Sequence, residues 1–156
     1  MIEIEIPGVG VRRFQHLVLD VNGTLAKDGV LTEGVVDLLS TLREKVEIHI
    51  VTADTHGTRA TIEKQLGLPL VCIPANDQAQ AKLDYISRLN SEMVVAVGNG
   101  ANDALMLEHA ALGILVIGPE GAALSALNGA TVVVTQINTA LELLLYPKRL
   151  SATLRR

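Results

Sequence analysis

Residues 16–25 read HLVLDVNGTL, a stretch in which an apolar run ends at Asp20 and a glycine-containing turn follows at once. A short apolar run bounded by turn residues is typical of a strand buried on both faces of a parallel sheet. We therefore predict a strand over His16–Leu19 whose carboxyl end presents Asp20. In open α/β sheets, ligands bind just outside that end of the strands.

Apolar runs and helical patterns alternate along the rest of the chain, which is the sequence form of repeated βαβ units. We predict further strands at Ile2–Ile6, Val46–Val51, Leu70–Ile73, Met93–Val97, Gly113–Ile117 and Thr131–Val134. We predict helices at Glu33–Glu44, Thr58–Leu66, Asn76–Leu89, Asn102–Ala110, Gly121–Leu127 and Ile137–Leu145. Thr32 is the expected N-cap of the first helix, and Gly67 closes the second. The expected fold is a three-layer α/β domain over residues 1–156, with a doubly wound, mostly parallel sheet.

Composition limits the classes of function. The net charge of −4 and the pI near 5.5 argue against a nucleic-acid-binding surface. No apolar run approaches the roughly 20 residues of a membrane-spanning helix, and the first residues lack the basic start of a signal peptide. The basic residues near the C-terminus are interpreted as a short solvated tail. We expect a cytoplasmic protein without a membrane partner.

The single cysteine, Cys72, suits a reducing compartment and cannot form an internal disulfide. It lies in the apolar run LPLVCIP, so we expect a buried and unreactive thiol. His16, His49 and His109 share no metal-ligand spacing and are interpreted as structural.

Residues that can carry chemistry follow the predicted strands. Asp20 is followed by a turn over residues 21–24 whose backbone N–H groups can bind an anion. Thr52 ends the next strand, and its hydroxyl with the following N–H of Ala53 can donate to a phosphoryl oxygen. Lys82, in the third helix, can add a positive charge there. Residues 98–103, GNGAND, form a tight loop with oxygen ligands for a hard cation. Each residue alone is more often a turn former, a cap or a solvated side chain, but together they indicate a site.

The order and spacing of these residues resemble the four motifs of the haloacid dehalogenase (HAD) superfamily, over about residues 16–134. The sequences TADT at residues 52–55 and VGNGANDA at residues 97–104 are most similar to the phosphorylation domain of P-type ATPases. The resemblance implies that Asp20 is an aspartyl nucleophile, with Thr52 and Lys82 stabilising the transferring oxygens. It also implies that Val21, Asn22 and Thr24, in the turn after Asp20, bind the phosphate together with Thr52, Ala53 and Lys82. The cofactor implied is Mg²⁺, held by Asp20, the Asn22 carbonyl, Asn99 and Asp103.

Two positions depart from the pattern of the superfamily. Asn22 stands where most phosphatases of the superfamily have an Asp that exchanges a proton with the leaving group. Proton transfer of this kind contributes roughly 10²–10⁴-fold to a rate. Asn99 replaces a metal-ligating Asp, which predicts weaker Mg²⁺ binding. Asp54 is expected to cap the second helix, and His56 is expected to be a capping or solvated residue.

The gaps between the motifs hold only a hairpin at Ala26–Leu31 with a turn at Asp28-Gly29 and single strand or helix units. A separate cap domain over the site is therefore not expected. An open site leaves three alternatives: a large substrate, a partner chain or second copy of this chain that covers the pocket, or poor discrimination among small phosphoesters.

Three hypotheses about function follow. The first is a Mg²⁺-dependent phosphatase or ATPase-like hydrolase that acts on a phosphorylated substrate through Asp20. The second is a binding or regulatory module in which Asn22 and Asn99 have weakened turnover. The third is a dinucleotide-binding domain, suggested by Gly98 and Gly100 after a strand, although Asp103 replaces the third glycine of that fingerprint.

Overall fold

The computed structural model describes residues 1–53 and 57–156 of the chain. The strands in these residues are β1 (Ile2–Ile6), β2 (Gly10–Phe14), β3 (His16–Asp20), β4 (Ala26–Lys27), β5 (Val30–Leu31), β6 (Glu47–Thr52), β7 (Leu70–Cys72), β8 (Val94–Gly98), β9 (Leu112–Val116) and β10 (Val132–Val134). The α-helices are α1 (Val35–Leu42), α2 (Arg59–Leu66), α3 (Gln78–Arg88), α4 (Ala104–His109), α5 (Leu124–Gly129), α6 (Ile137–Leu145) and α7 (Pro147–Leu154). Short 3₁₀-helices cover Ser91–Met93 and Ala101–Asp103.

The central sheet has six strands in the order β10-β9-β8-β3-β6-β7, all parallel. Strand β3 lies in its middle, and its side chains alternate between two apolar layers. Leu17 and Leu19 belong to one core cluster with α1, α2 and α6, while Val18 belongs to the other with α3, α4 and α5. Helices cover both faces of the sheet, so most strand side chains are buried, which is why the strand sequences are continuously apolar. The predicted three-layer α/β fold is confirmed.

The hairpin of β4 and β5 follows Asp20 as predicted. Asp28 and Gly29 have positive φ angles of 50° and 77°. A two-residue type I′ hairpin turn requires positive φ at both of its central residues. The prediction that Gly67 closes the second helix is also confirmed, since Gly67 ends α2 in the left-handed conformation.

The start of α1 differs from the prediction. The helix begins at Val35, and its N-cap is Gly34 in the left-handed conformation, with φ 84° and no side-chain cap. Thr32 lies outside the helix, where its carbonyl accepts a hydrogen bond from the N–H of Val35 at 3.2 Å. The N-cap prediction for Thr32 is wrong because the chain turns through Gly34 first. The predictions for Asp54 and His56 concern residues outside the described ranges.

The two ends of the chain pack against each other, which was not predicted. Strand β1 pairs with β2 in a separate antiparallel sheet, and α7 packs against β1. The hydroxyl of Ser151 donates to the carbonyl of Glu5 at 2.6 Å, and Leu150 is fully buried. The basic residues of this segment, Lys148, Arg149, Arg155 and Arg156, are exposed as expected, but the helix α7 and its packing against β1 were not predicted.

The prediction of a buried thiol is also wrong. Cys72 ends the edge strand β7 and is exposed, with the Arg59 guanidinium 2.9 Å from its Sγ. A position at the end of an edge strand has neighbours on one side alone, which the apolar flanking sequence does not reveal. None of the helices in residues 1–53 and 57–156 has the length and apolar character that a membrane crossing requires.

Candidate active site

The carboxyl ends of the three central strands meet at one edge of the sheet. Asp20 is the last residue of β3, Thr52 the last of β6 and Gly98 the last of β8. Strand β3 hydrogen-bonds to both neighbours, so the sheet itself brings these residues side by side. The arrangement that the sequence predicted for this edge is therefore present in the fold.

A buried lysine joins two of the predicted acidic residues. The Nζ atom of Lys82, on α3, lies 2.6 Å from Oδ1 of Asp20 and 2.5 Å from Oδ1 of Asp103. Lys82 and Asp103 are almost fully buried, and Asp20 is only 6% exposed. A buried ammonium needs such partners, because removing its charge from water is unfavourable unless it is paired. The sequence had placed Lys82 near the site, but not as a bridge between two carboxylates.

Burial is the largest influence on the charges of this triad. Burial, and after it the negative charge of Asp103, raise the pKa of Asp20, while Lys82 lowers it, and the net result is a pKa of about 7. Burial lowers the pKa of Lys82, but the charges of Asp20 and Asp103 raise it, and the net direction is upward. The lysine therefore stays charged at neutral pH, and ionised Asp20 would leave a surplus negative charge that a cation can offset.

The loop after β3 is compact and needs glycine at one position. The Val21 carbonyl accepts hydrogen bonds from the N–H groups of Thr24 and Leu25, at 3.2 and 2.9 Å. Gly23 has φ 77°, and a Cβ atom there would lie 2.4 Å from Nδ2 of Asn99. A side chain at this position would therefore be strained and would collide with the opposite loop.

The loop after β8 is held by the carboxylate of Asp103. Its Oδ2 accepts hydrogen bonds from the N–H groups of Asn99 at 3.0 Å and Gly100 at 2.9 Å. Its other oxygen contacts Lys82, so both oxygens of Asp103 have partners. Asp103 thus closes the loop and anchors the lysine at the same time. A Cβ atom on Gly98 would lie 2.4 Å from the Asp103 carboxyl carbon, which explains the glycine there.

Asn99 links the two loops. Its Nδ2 donates to the Gly121 carbonyl at 3.2 Å, which orients Oδ1 toward the Thr24 hydroxyl, and Thr24 donates to it at 3.2 Å. Asn99 and Thr24 are both buried. The Asn99 side chain therefore has a structural role, because it joins the two loops. Its oxygen is uncharged, whereas the superfamily pattern has a carboxylate at this position.

A pocket of about 440 Å³ opens on this edge of the sheet. Its lining residues are Asp20, Asn22, Thr52, Ala53, Ala75, Gln78, Asn99, Gly100, Asn102 and Glu120. Five of the predicted site residues therefore face one space. The other predicted site residues do not line the pocket and are buried beside it: Val21, Thr24, Lys82 and Asp103.

Three polar residues of the lining were missed by the sequence analysis. Asn102 donates to the Gln78 side chain at 2.8 Å, and together they form part of the pocket rim. Glu120 follows β9, at the same edge of the sheet, and its Oε2 lies 2.8 Å from the position that a Cβ atom on Gly23 would take. The rule that chemistry follows strand ends points to Glu120 as well, since it comes shortly after β9 in the sequence GPEG at residues 118–121.

A second cavity, of about 480 Å³, lies along the hairpin and the loop before α6, with Thr24, Lys27, Thr32, Pro119 and Asn138 among its lining residues. None of its lining residues in the described part of the chain carries a carboxylate. The chemistry is therefore assigned to the smaller pocket, which contains Asp20 and Glu120.

The donor atoms around this pocket fit a small divalent cation. Asp20, Asn99 and Glu120 offer oxygen atoms, and hard cations such as Mg²⁺ prefer oxygen. A cation beside Asp20 would offset the unfavourable burial of its ionised form, which is the main cause of its raised pKa. Both oxygens of Asp103 are engaged, by Lys82 and by the N–H groups of Asn99 and Gly100, so they are not free donor atoms in this arrangement.

Comparison with known proteins gives two relatives, both uncharacterized proteins of Methanocaldococcus jannaschii, and a shared fold. One of them, MJ0072, is 51% identical over 39 residues, which are 25% of this chain and 89% of that protein. No family model matches the chain. The uncharacterized protein MJ0073 of Methanocaldococcus jannaschii is 47% identical over 79 residues, which are 48% of this chain and 85% of that protein.

Solved structures share the architecture at low sequence identity. A structure from Legionella pneumophila, named for subfamily III A of the HAD superfamily hydrolases, has a TM-score of 0.68 at 17% identity and covers 89% of this chain and 86% of that one. The 3-deoxy-D-manno-octulosonate 8-phosphate phosphatase of Moraxella catarrhalis, in complex with magnesium, phosphate and sugar, has a TM-score of 0.63 at 19% identity, with 85% and 86% covered. A phospho-aspartyl intermediate analogue of phosphoserine phosphatase has a TM-score of 0.68 at 16% identity, with 86% and 99% covered. The chain therefore has the HAD-like fold.

Proposed function

This chain belongs to the family of MJ0073 and has the HAD-like fold, and we propose that it is a Mg²⁺-dependent phosphohydrolase. In this proposal the enzyme works through an aspartyl phosphate on Asp20. One observation carries the proposal. A buried ammonium, that of Lys82, lies within 2.6 Å of both Asp20 and Asp103 at the edge where Asp20 also faces a polar pocket. A structural ion pair alone does not require one of its carboxylates to line an open pocket.

In the first step, the carboxylate of Asp20 attacks the phosphorus atom of a phosphoester. A bond forms between the carboxylate oxygen and phosphorus, and the ester oxygen leaves with the bonding electrons. In the second step, a water oxygen attacks phosphorus, inorganic phosphate leaves, and the carboxylate of Asp20 is restored. Most of the catalysis of phosphoryl transfer comes from positioning and charge stabilisation, which this site supplies with fixed groups.

Three groups of this chain stabilise the transferring oxygens. Lys82 contributes a positive charge that is held in place by two carboxylates, so it needs no reorganisation during the reaction. Thr52, at the end of β6, lines the same pocket and supplies a hydroxyl, and the N–H of Ala53 follows it. In the turn over residues 21–24, the N–H groups of Gly23 and Thr24 donate to the carbonyls of Ala26 and Val21, so they hold the shape of the loop beside the pocket.

The metal-binding groups are the oxygens of Asp20 and Asn99, the Asn22 carbonyl and, through water, Asp103. When bound, Mg²⁺ screens the repulsion between the carboxylate and the phosphoryl group. Glu120 adds a carboxylate to the same pocket, which offsets part of the charge lost at Asn99. The phosphatase of Moraxella catarrhalis, with its magnesium and phosphate, and the phospho-aspartyl analogue support these two parts of the proposal.

Asn22 sets the expected kinetics. Its amide lines the pocket but cannot exchange a proton, so the second step lacks the usual base and the phospho-enzyme lives longer. This is the behaviour implied by the resemblance to P-type ATPases. Turnover is therefore slow, with breakdown of the aspartyl phosphate as the slow step.

The described residues hold no inserted domain above the pocket, and the segment between Asp20 and β6 is filled by the hairpin and α1. We propose that the pocket works open, on a phosphorylated group that a larger substrate, a partner or a second copy of this chain presents.

The test is Mg²⁺-dependent release of p-nitrophenol from p-nitrophenyl phosphate. We expect turnover with millimolar Mg²⁺, none in a chelator, and none for Asp20→Asn. The matched control is Asp37→Asn, which removes an exposed carboxylate on α1 and leaves turnover unchanged. A wild-type protein without turnover at any divalent cation concentration would contradict the proposal.

A second candidate function is favoured by the pair Asn22 and Asn99. In this alternative the chain is a binding or regulatory module that takes Mg²⁺ or phosphate without repeated turnover. The double variant Asn22→Asp with Asn99→Asp would then gain hydrolysis from a background of none. Turnover by the wild type would rule this alternative out.

A further inference from the structure

A second cluster of metal-ligand side chains lies at the opposite edge of the sheet. His16 is the first residue of β3, and Glu47 is the first residue of β6 and its direct partner in the register. His49 follows two residues later on β6, on the same face as Glu47, since strand side chains alternate. Asp20 ends β3 four residues after His16, about 13 Å along the strand at 3.3 Å per residue. The cluster is therefore separate from the candidate active site.

The ligand atoms of the three residues lie close to the spacing of one face of a tetrahedron. Nδ1 of His16 lies 3.1 Å from Nε2 of His49, and the two oxygens of Glu47 face one histidine each, with Oε2 3.4 Å from His16 and Oε1 3.8 Å from His49. One ligand atom from each residue can be chosen so that all three lie within 4.8 Å of one another. Nitrogen and oxygen ligands that share one Zn²⁺ at about 2.0–2.1 Å are about 3.3–3.4 Å from each other in a tetrahedral site. Small side-chain shifts would bring all three atoms to that spacing.

A second contact orients one of the histidines as a ligand. The other ring nitrogen of His49, Nδ1, lies 2.9 Å from the hydroxyl of Tyr85 on α3. Metal-bound histidines commonly donate their second N–H to such an oxygen, and the Tyr85 hydroxyl is placed to accept that hydrogen bond when Nε2 binds a cation. His49 is buried, while Glu47 is exposed, so the cluster opens to water on one side.

The donor set also discriminates between cations. Two imidazoles and one carboxylate suit Zn²⁺, Co²⁺ and related transition-metal ions, whereas Mg²⁺ prefers oxygen ligands alone. We propose that His16, Glu47 and His49 form a site for a Zn²⁺-class transition-metal ion, with water in the fourth position. Bound there, the ion links the starts of β3 and β6, the two strands that carry Asp20 and Thr52 at their other ends. The site is structural and does not take part in phosphoryl transfer.

The alternative for the same residues is a chain of hydrogen bonds from His16 through His49 to Tyr85, without a metal. Both arrangements use the contacts seen here, but only the metal site needs the carboxylate of Glu47 and binds a cation with defined stoichiometry. The experiment therefore measures binding directly.

The test is a titration of the chelator-treated full chain with Co²⁺, followed by its visible absorption. We expect one equivalent of Co²⁺ to give the intense bands of a tetrahedral site, Zn²⁺ to displace it, and excess Mg²⁺ to leave it in place. Glu47→Gln abolishes the tetrahedral bands, while Glu44→Gln, an exposed neighbour, leaves them unchanged.

Tyr85→Phe removes only the orienting hydroxyl and weakens Zn²⁺ binding about 10- to 100-fold. The chain's other tyrosine, Tyr146, is the matched control, and Tyr146→Phe keeps the wild-type affinity. Asp20→Asn keeps the bands as well, because the two sites are independent. Wild-type protein without tetrahedral bands, or bands that survive Glu47→Gln but vanish with Asp20→Asn, would overturn the proposal.

Discussion

The parallel strands of the central sheet carry a group of polar residues at each end, and the two groups are built differently. We call the side where the strands end the carboxyl edge and the side where they begin the amino edge. At the carboxyl edge, β3 and β6 end in Asp20 and Thr52, and loops with glycine at special angles bring further groups to them. At the amino edge, His16 and the pair Glu47 and His49 meet through strand register alone. The first edge collects oxygen atoms and a buried ammonium, and the second collects imidazole nitrogens.

The comparison shows that position and chemistry are coupled. Loops after strands offer backbone N–H groups and small residues, which suit a phosphoryl group and a hard cation. Strand starts offer side chains in fixed pairs, which suit a small rigid set of ligands. At the carboxyl edge, burial and the neighbouring charge of Asp103 raise the pKa of Asp20, so its ionised form is unfavourable there. Strained or crowded groups of this kind are common where function requires them.

The largest effect is expected for Lys82→Met. Loss of the ammonium leaves Asp20 and Asp103 buried without their positive partner, which costs about 3–5 kcal/mol in the free energy of unfolding. Urea unfolding at pH 8 measures the loss, and turnover is expected to vanish with it. Lys64→Met, at an exposed position on α2, is the control and stays within about 0.5 kcal/mol of the wild type. A Lys82→Met protein as stable as the wild type would show that the charges at this edge are not coupled.

A smaller effect of opposite sign is expected for Asp20→Asn in a chelator. The folded state holds the Asp20 proton up to about pH 7, while the unfolded chain releases it near pH 3.8. The free energy of unfolding of the wild type therefore falls as the pH rises through that window, and the loss is complete above pH 7. The neutral amide avoids it, so the variant is more stable at pH 8 by about 1–3 kcal/mol.

Mg²⁺ sharpens this second prediction. Added Mg²⁺ stabilises the wild type by binding beside ionised Asp20, and the gain is smaller in the variant. Thermal unfolding with and without Mg²⁺ measures the difference. A variant Asp20→Asn that is less stable than the wild type at pH 8, or that Mg²⁺ stabilises equally, would show that ionised Asp20 is not unfavourable in the folded protein.

The smallest effect is expected for Glu120→Gln. Removal of this carboxylate raises the Mg²⁺ concentration needed for half-maximal activity about tenfold, which corresponds to about 1.4 kcal/mol. Glu92→Gln, at an exposed position before β8, serves as the control. Titration of activity with Mg²⁺ measures the shift, and Co²⁺ binding at the amino edge is expected to stay unchanged. An unaltered Mg²⁺ dependence would remove Glu120 from the site.

The sequence was sufficient for the parallel sheet and for most of the carboxyl edge. Buried strands and the residues after them are local patterns, so Asp20 and Thr52 could be placed at strand ends before their surroundings were known. The motif spacing also brought Lys82 to the same edge. Its bridge to Asp103 depends on the packing of α3 against the loop after β8, which no local pattern encodes.

The amino edge could not be predicted because its residues are distant in sequence. His16 and His49 are 33 positions apart, and their contact depends on which strands are neighbours and in what register. The interpretation of these histidines as structural rested on their spacing along the chain, which does not reveal this contact. Two local predictions failed for a similar reason. The turn through Gly34 moved the start of α1 away from Thr32, and the position of Cys72 at the end of an edge strand exposed a thiol that its apolar neighbours predict to be buried.

The most direct test of the central claim is to trap the phosphorylated protein. Wild-type protein is incubated with Mg²⁺ and a radiolabelled phosphoester, quenched in acid, digested and analysed by mass spectrometry. We expect phosphate on the peptide that contains Asp20, with the lability to hydroxylamine of an acyl phosphate, and none in Asp20→Asn. Turnover by the wild type without any label on that peptide, or equal labelling of Asp20→Asn, would contradict the assignment of Asp20 as the nucleophile.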